Sequence, residues 1–151
     1  MACVAVGANL GDAMATVQQA MRDVAGLPQT QQVKASSLYR SAPYEAQGPD
    51  FINAVVLVQT QLTPLALLQA LQALELKGGR ERPFKNAPRT LDLDLIFYGD
   101  AVMSTPELTL PHPRWQDRAF VLQPLAEVWP QRVSPELLLA VHGQSIERIH
   151  S

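Results

Sequence analysis

The order in which two apolar periodicities alternate along the first hundred residues restricts this chain more than any other feature. Residues 2–7 (ACVAVG) form a short, continuous apolar run, as a buried strand does. Met14, Val17, Met21 and Val24 then recur at helical spacing, which predicts an amphipathic helix over 12–25, ended by Gly26, Leu27 and Pro28. Residues 32–40 read as a second strand, and 41–50 as a loop carrying Pro43, Gly48 and Pro49. The β-branched stretch 51–61 reads as a third strand. Thr63-Pro64 opens a second helix over 64–77, with Thr63 as its cap and Pro64 at the first helical position. Its expected buried stripe is Leu65, Leu68, Leu71 and Leu74, and its expected stop is Gly78-Gly79. A loop over 78–88 leads into a fourth strand at 90–98. Beyond it come a short strand pair near 101–110, a helix over about 117–128 and one more helix opening at Ser134-Pro135.

Strand, helix, strand, strand, helix, strand is the split β-α-β order of a ferredoxin-like sheet. It predicts an α+β fold with a mainly antiparallel four-stranded core, helices on one face and a C-terminal extension. The 151 residues carry no repeat or linker, so a single domain over 1–151 is expected. An apolar content of 47% excludes a disordered chain, and a net charge of −2 gives no bulk reason to bind nucleic acid. Cys3 is the only cysteine, so no intrachain disulfide can form, and its apolar neighbours make it a small core residue. No signal-peptide pattern and no run near the ~20 apolar residues of a membrane span are present. The expectation is a cytoplasmic monomer without membrane or nucleic-acid partners.

The chemistry gathers around Asp92-Leu93-Asp94. Strand side chains alternate, so Asp92 and Asp94 share one face while Leu91, Leu93 and Leu95 fill the core from the other. Two adjacent carboxylates repel, and Mg²⁺ would remove that penalty, since it takes one or two carboxylates together with substrate phosphates. A solvated strand face with two unrelated acids is the plainer alternative. Just upstream, Lys77, Arg80, Arg82, Lys85 and Arg89 outnumber the one acid, Glu81. Arginine forks suit phosphate, so basic loop and carboxylate pair together supply what phosphoryl transfer needs. In Pro111-His112-Pro113-Arg114-Trp115-Gln116-Asp117-Arg118, His112 and Arg118 could add phosphate contacts. Gly7-Ala8-Asn9-Leu10-Gly11 lacks the lysine of a phosphate loop and reads as a tight strand-to-helix turn.

Lys85-Asn86-Ala87-Pro88-Arg89-Thr90-Leu91-Asp92-Leu93-Asp94 resembles the signature of the 6-hydroxymethyl-7,8-dihydropterin pyrophosphokinase family. Val6 to Asp12, Ser36 to Pro43, Pro49 to Val55, Glu75 with Gly79-Arg80, and Leu110 to Pro113 are similar to further motifs of that family, in the same order. The resemblance implies a ferredoxin-like enzyme of folate synthesis. It would transfer the β,γ-pyrophosphate of ATP to the pterin hydroxymethyl oxygen and release AMP. Two Mg²⁺ ions would lie on Asp92 and Asp94. Arg80 and Arg82 would close over ATP, with Arg82 stabilising the transferring charge, and Arg89, His112 and Arg118 would contact phosphates. Gln72, Glu75, Leu95 and Thr109 would line the nucleotide site. The pterin would lie between Phe51 and Phe120, read by Asn53 and by the backbone around Ala42, Pro43 and Tyr44. The chain departs from the pattern at Asn86-Ala87, where many members have Trp-Gly, in a short 44–50 loop, and at Glu107, where some carry arginine.

Two rival classes remain. A ferredoxin-like binding module without catalysis has no use for paired acids facing an arginine loop, since carboxylates would repel RNA phosphates. A metal-dependent nucleotidyltransferase also pairs acids on a strand, but would release pyrophosphate rather than AMP.

Overall fold

The structure is a computed structural model that describes residues 1–42, 49–79 and 91–149. Its centre is β1 (Ala2–Ala8), whose side chains are all small or apolar and nearly all buried, so it can be covered on both faces. β1 pairs antiparallel with β4 (Phe51–Thr60) on one side and with β5 (Asp92–Tyr98) on the other. β2 (Thr30–Ala35) and β3 (Tyr39–Ser41) follow one another along the far edge of β4. The core strands thus stand in the order fourth, first, third, second, as the ferredoxin-like reading requires. β6 (Met103–Ser104) and β7 (Thr109–Leu110) form a separate pair, as expected for 101–110. β8 (Ile146–Arg148), which the sequence pattern did not suggest, adds to β3 and completes a six-stranded sheet.

The expected strand at 32–40 is broken between β2 and β3. Ser36 causes the break locally: its hydroxyl accepts the Val55 N–H at 2.9 Å, a side chain standing in for a ladder carbonyl. α1 (Ala13–Ala25) starts where Asp12 accepts the Ala15 N–H at 3.2 Å. α2 (Pro64–Gly79) starts where the Thr63 hydroxyl accepts the Ala66 N–H at 3.1 Å, and it includes Gly78 and Gly79 rather than stopping before them. Its buried stripe also differs from expectation. Leu67 and Leu71 are fully buried and Leu68 and Leu74 partly so, whereas Leu65 is 41% exposed. The helix rests on the sheet about one residue around from the anticipated line.

α1 and α2 cover one face of the sheet. There Val17, Ala20, Val24, Leu67 and Leu71 meet Val4 and Val6, Ile52, Ala54 and Val56, and Leu93 and Leu95. The expectation that helices lie on one face only is overturned. α3 (Ala119–Val128) and α4 (Pro135–Ala140) pack on the other. That face is apolar in β1 and β4 already, and a bulge in β5 enlarges it. Cys3 pairs with Phe97 but Val4 pairs with Leu95, so Ile96 is extra and the alternation of β5 slips by one. Ile96 and Phe97 then both join Cys3, Ala5, Val55 and Leu57 on the second face, which needs the cover that Val121, Leu122 and Leu125 supply. Cys3 is fully buried there, and burial pushes its thiol far up, against a smaller opposing effect of Arg132, so it is a core residue as expected. No described helix is long and apolar enough to cross a membrane.

α3 is tied to the β2–β3 break by Glu127. Its carboxylate accepts the Ser37 N–H at 3.0 and 3.1 Å, the Ser37 hydroxyl at 3.1 Å and the Tyr39 hydroxyl at 2.8 Å, with Arg148 at 3.5 Å. Burial alone would raise this carboxyl, but the hydrogen bonds from Tyr39 and Ser37 and the Arg148 charge outweigh it and hold the group below its ordinary 4.5. The Tyr39 hydroxyl is pushed up to about 12 by burial, then by the bond to Glu127 and its charge, against Arg148.

Two predictions follow from this packing. Leu71→Ala should cost about 2–5 kcal/mol in urea unfolding, and Leu65→Ala no more than about 0.5 kcal/mol; comparable losses would place the buried stripe wrongly. Because the folded state favours the Glu127 carboxylate, its contribution is complete above the ordinary value and fades as pH falls through the depressed one. The stability difference between wild type and Glu127→Gln should therefore be greatest near neutrality and shrink below pH 4.5. A difference independent of pH would contradict the depressed carboxyl.

Candidate active site

The three central strands set the site by register. Gly7 of β1 stands between Asn53 of β4 and Asp92 of β5, and Ala5 stands between Val55 and Asp94. Alternation turns Asp92, Asp94 and Asn53 to the face that α3 covers only in part. A cleft of about 250 Å³ opens there, with both acids, Asn53, Phe51 from β4, and Arg118 and Phe120 from the start of α3 among its lining residues. The resemblance divided these residues among a metal site (Asp92, Asp94), a phosphate contact (Arg118) and a pterin site (Phe51, Asn53, Phe120); the fold brings them around one cleft. Ala42 lines the same cleft.

Asn53 is 4% exposed and is held at its amide by Ser41. Its Nδ2 donates to Ser41 Oγ at 2.8 Å. Its Oδ1 lies over Gly7, where an added Cβ would come within 3.2 Å of it. Gly7 is thus a strand residue that makes room for an amide, not part of a tight turn. The turn is made by Gly11, at φ +61°. Ser41 and Gly7 were not expected as site residues. The available signal was a glycine inside an apolar strand and a serine that shares a face with buried Tyr39.

Arg118 is the residue before α3, and its guanidinium carbon lies 5.4 Å from the Phe120 ring centroid. Its Nη1 is 3.9 Å from Asp94 Oδ2, both groups being partly exposed. Such a pair is weak, so the arginine can turn to an incoming anion at little cost.

Asp94 also lines a second cleft of about 260 Å³, together with Leu95, Glu107, Thr109 and His112. His112 is held at its backbone by the Ile96 carbonyl, 2.9 Å from the His112 nitrogen, and its Nδ1 accepts the Arg114 N–H at 3.1 Å. Burial lowers its pKa; Asp94 opposes this, and Arg118 and Arg114 add to it. A neutral ring whose Nδ1 accepts keeps its proton on Nε2, as a donor. Leu95 is buried in the core and reaches this cleft only at its margin. Gln72 and Glu75 line neither cleft. Gln72 is exposed on α2. Glu75 Oε2 accepts the Leu93 N–H at 2.9 Å, which ties α2 to the edge strand between the two acids. Arg80, Arg82, Arg89, Pro43 and Tyr44 lie outside the described residues.

Among the described residues no group of three or more histidine, cysteine or acidic side chains could cage a metal. Two carboxylates beside two open clefts suit a hard cation that arrives with phosphate oxygens of its own, which is how Mg²⁺ is usually held.

Paired acids and an arginine facing one cleft of a ferredoxin-like sheet are groups suited to phosphate and a hard cation. Comparison with known proteins is more specific. The family model of 7,8-dihydro-6-hydroxymethylpterin-pyrophosphokinase (HPPK) matches residues 3–130. A 2-amino-4-hydroxy-6-hydroxymethyldihydropteridine pyrophosphokinase of Pseudomonas aeruginosa is 44% identical over 153 aligned positions, covering 97% of this chain and 94% of that protein. The enzyme of that name from Synechocystis is 46% identical, over 89% of this chain and 69% of the relative. A crystal structure of an HPPK-DHPS protein in complex with substrates superposes with a TM-score of 0.68 at 12% identity, covering 94% of this chain and 42% of that one, and so supports the fold. The chain belongs to the 7,8-dihydro-6-hydroxymethylpterin-pyrophosphokinase family, and its reaction is pyrophosphate transfer to hydroxymethyldihydropterin in folate biosynthesis.

Gly7→Ala should displace the Asn53 amide and raise the pterin Kd about fivefold, equivalent to ~1 kcal/mol, in a fluorescence titration. Unchanged affinity would mean that Asn53 does not read the pterin from this position.

Proposed function

We propose that ATP with Mg²⁺ is the pyrophosphate donor and that AMP is the second product. The observation that carries this reading is that Asp94 lines both clefts, with Asp92 beside it on the same face. One cleft has the aromatic and amide groups a flat heterocycle needs, and the other has a neutral histidine donor. A group shared by both is where pyrophosphate would pass.

In this reading the pterin stacks against Phe51 and Phe120. Asn53, its Nδ2 engaged by Ser41, offers Oδ1 to a ring donor. The backbone at Ala42, with Pro43 and Tyr44, completes the pterin edge. The nucleotide lies along Thr109, Leu95 and His112, and His112 Nε2 and the Arg118 guanidinium donate to phosphate oxygens. Arg80, Arg82 and Arg89, by their place in the sequence motif, supply further positive charge, Arg82 to the transferring group. Gln72 is assigned to the nucleotide side on the same ground, and Glu75 serves by holding β5 to α2. Asp92 and Asp94 would hold the Mg²⁺, which, when bound, neutralises the triphosphate and makes the substrate hydroxyl easier to ionise.

The reaction is a displacement at the β-phosphorus of ATP. The hydroxymethyl oxygen forms a bond to that phosphorus, the bond to the α,β-bridging oxygen breaks, AMP carries the electron pair away, and the hydroxyl proton passes to solvent. The residues hold the attacking and leaving oxygens in line and exclude competing water.

Incubation with ATP, Mg²⁺ and the hydroxymethyl pterin should yield AMP and the pterin pyrophosphate in equal amounts. Release of inorganic pyrophosphate instead would mean nucleotidyl transfer. Asp92→Ala and Asp94→Ala should each lower kcat by at least about a hundredfold while circular dichroism stays unchanged. Undiminished turnover in EDTA would remove the metal from the account.

A further inference from the structure

The segment from Gln144 to Arg148 touches both walls of the pterin cleft. On one wall, Gln144 brackets Arg118. Its Nε2 donates to the Asp117 carbonyl at 2.7 Å and its Oε1 accepts the Ala119 N–H at 2.9 Å. Arg118 and Phe120 leave the chain at this point, where α3 begins. An amide fits both contacts because it carries a donor and an acceptor on one planar group.

On the other wall, the next carbonyl, that of Ser145, accepts the Ala42 N–H at 3.2 Å. β8 then runs along β3, pairing Ile146 with Ser41 and Arg148 with Tyr39. Ser41 is the residue that engages Asn53, and it stands opposite Phe51. Arg148 donates through Nε to Ser37 Oγ at 3.0 Å beside the Glu127 carboxylate, and the Ile149 N–H continues the contact to the Leu38 carbonyl at 2.8 Å.

We infer that this segment is a strap that sets the gap between the two aromatic walls, and that Gln144 is a positioning residue for the pterin, acting through Arg118 and Phe120. The inference rests on the proposed pterin site. A short segment bonded to one wall through Gln144 and to the other through Ser145 and β8 resists their separation, because parting the walls breaks hydrogen bonds at one end or the other. A flat ring system gains most from two walls already at stacking distance, so loosening the strap lowers pterin affinity through lost preorganisation. The second cleft is lined from α2, β5 and residues 105–113, none of which the strap touches directly; its link to the strap is the weak Arg118–Asp94 pair.

Gln144→Met keeps the length of the side chain without either hydrogen bond, and Gln144→Ala removes it. Both should raise the pterin Kd about fivefold in a fluorescence titration and the KM for ATP by a clearly smaller factor, since Arg118 is only one of the groups placed at the phosphates. Val133→Ala, in the same core but off the strap, should lower Tm without moving the pterin Kd. Combined with Phe120→Leu, Gln144→Met should add less than its separate effect, since both act on one wall. The inference is overturned if both Gln144 variants bind pterin as wild type does, or if pterin and ATP weaken together in step with Tm. If Phe120→Leu alone leaves pterin binding intact, the pterin site itself is misplaced, a separate failure that removes the strap's purpose as well.

Discussion

The register of β1 between β4 and β5 is the constraint from which the site follows. Gly7 faces Asn53 on one side and Asp92 on the other, and Ala5 faces Val55 and Asp94. Because strand side chains alternate, a slip of one residue would send the acids into the packed face and Leu93 and Leu95 into the cleft. Burying two carboxylates without partners is so costly that the slipped register is not a competitor. The same rows that fill the helix-covered core therefore fix which groups line the cleft. Small residues on the central strand are part of this arrangement. Gly7 leaves room above the strand for the Asn53 amide, and Ala5 keeps the floor low beside Asp94.

From that sheet, two clefts of similar size open on either side of Asp94. One is walled by aromatic rings, the other by a hairpin and a neutral histidine. In the proposed reaction Asp94 would stand near the point of transfer, with the rest of each substrate bound in its own cleft. The added C-terminal helices and strand complete the first cleft. They cover the apolar remainder of the face, bring Arg118 and Phe120 over the open end and tie β3 through Glu127 and Arg148.

Much of this was legible in the residues. Periods of two and 3.6 gave the order of the core elements, and the order implied the topology. The alternation in Leu91 to Leu95 separated acids from core without error, since no other assignment buries leucine and exposes aspartate. What escaped notice depends on tertiary contact. The Ile96 bulge has no sequence mark that distinguishes it from continued strand, yet it turns Phe97 to the second face and enlarges the apolar surface that α3 covers. Ser36 breaks a strand through a bond to Val55, a residue far along the chain. β8 is three residues long and mostly exposed, too short for any period to show. Among site residues, Asn53 and both phenylalanines were found through the resemblance. Ser41 and Gly7 matter only for how they orient Asn53, which requires knowing the strand pairing. Glu75, expected at the nucleotide, also accepts the Leu93 N–H, a strand contact that no periodicity shows.

In the proposed reaction Asp92 and Asp94 would act together on one cation-bound triphosphate, because the sheet presents them on the same face. Anomalous diffraction from a crystal grown with Mn²⁺ and an ATP analogue that cannot transfer its pyrophosphate tests this most directly. The account predicts anomalous peaks within about 2.2 Å of carboxylate oxygens of both residues and of phosphate oxygens. Peaks held by the nucleotide alone, with both side chains turned to solvent, would contradict it.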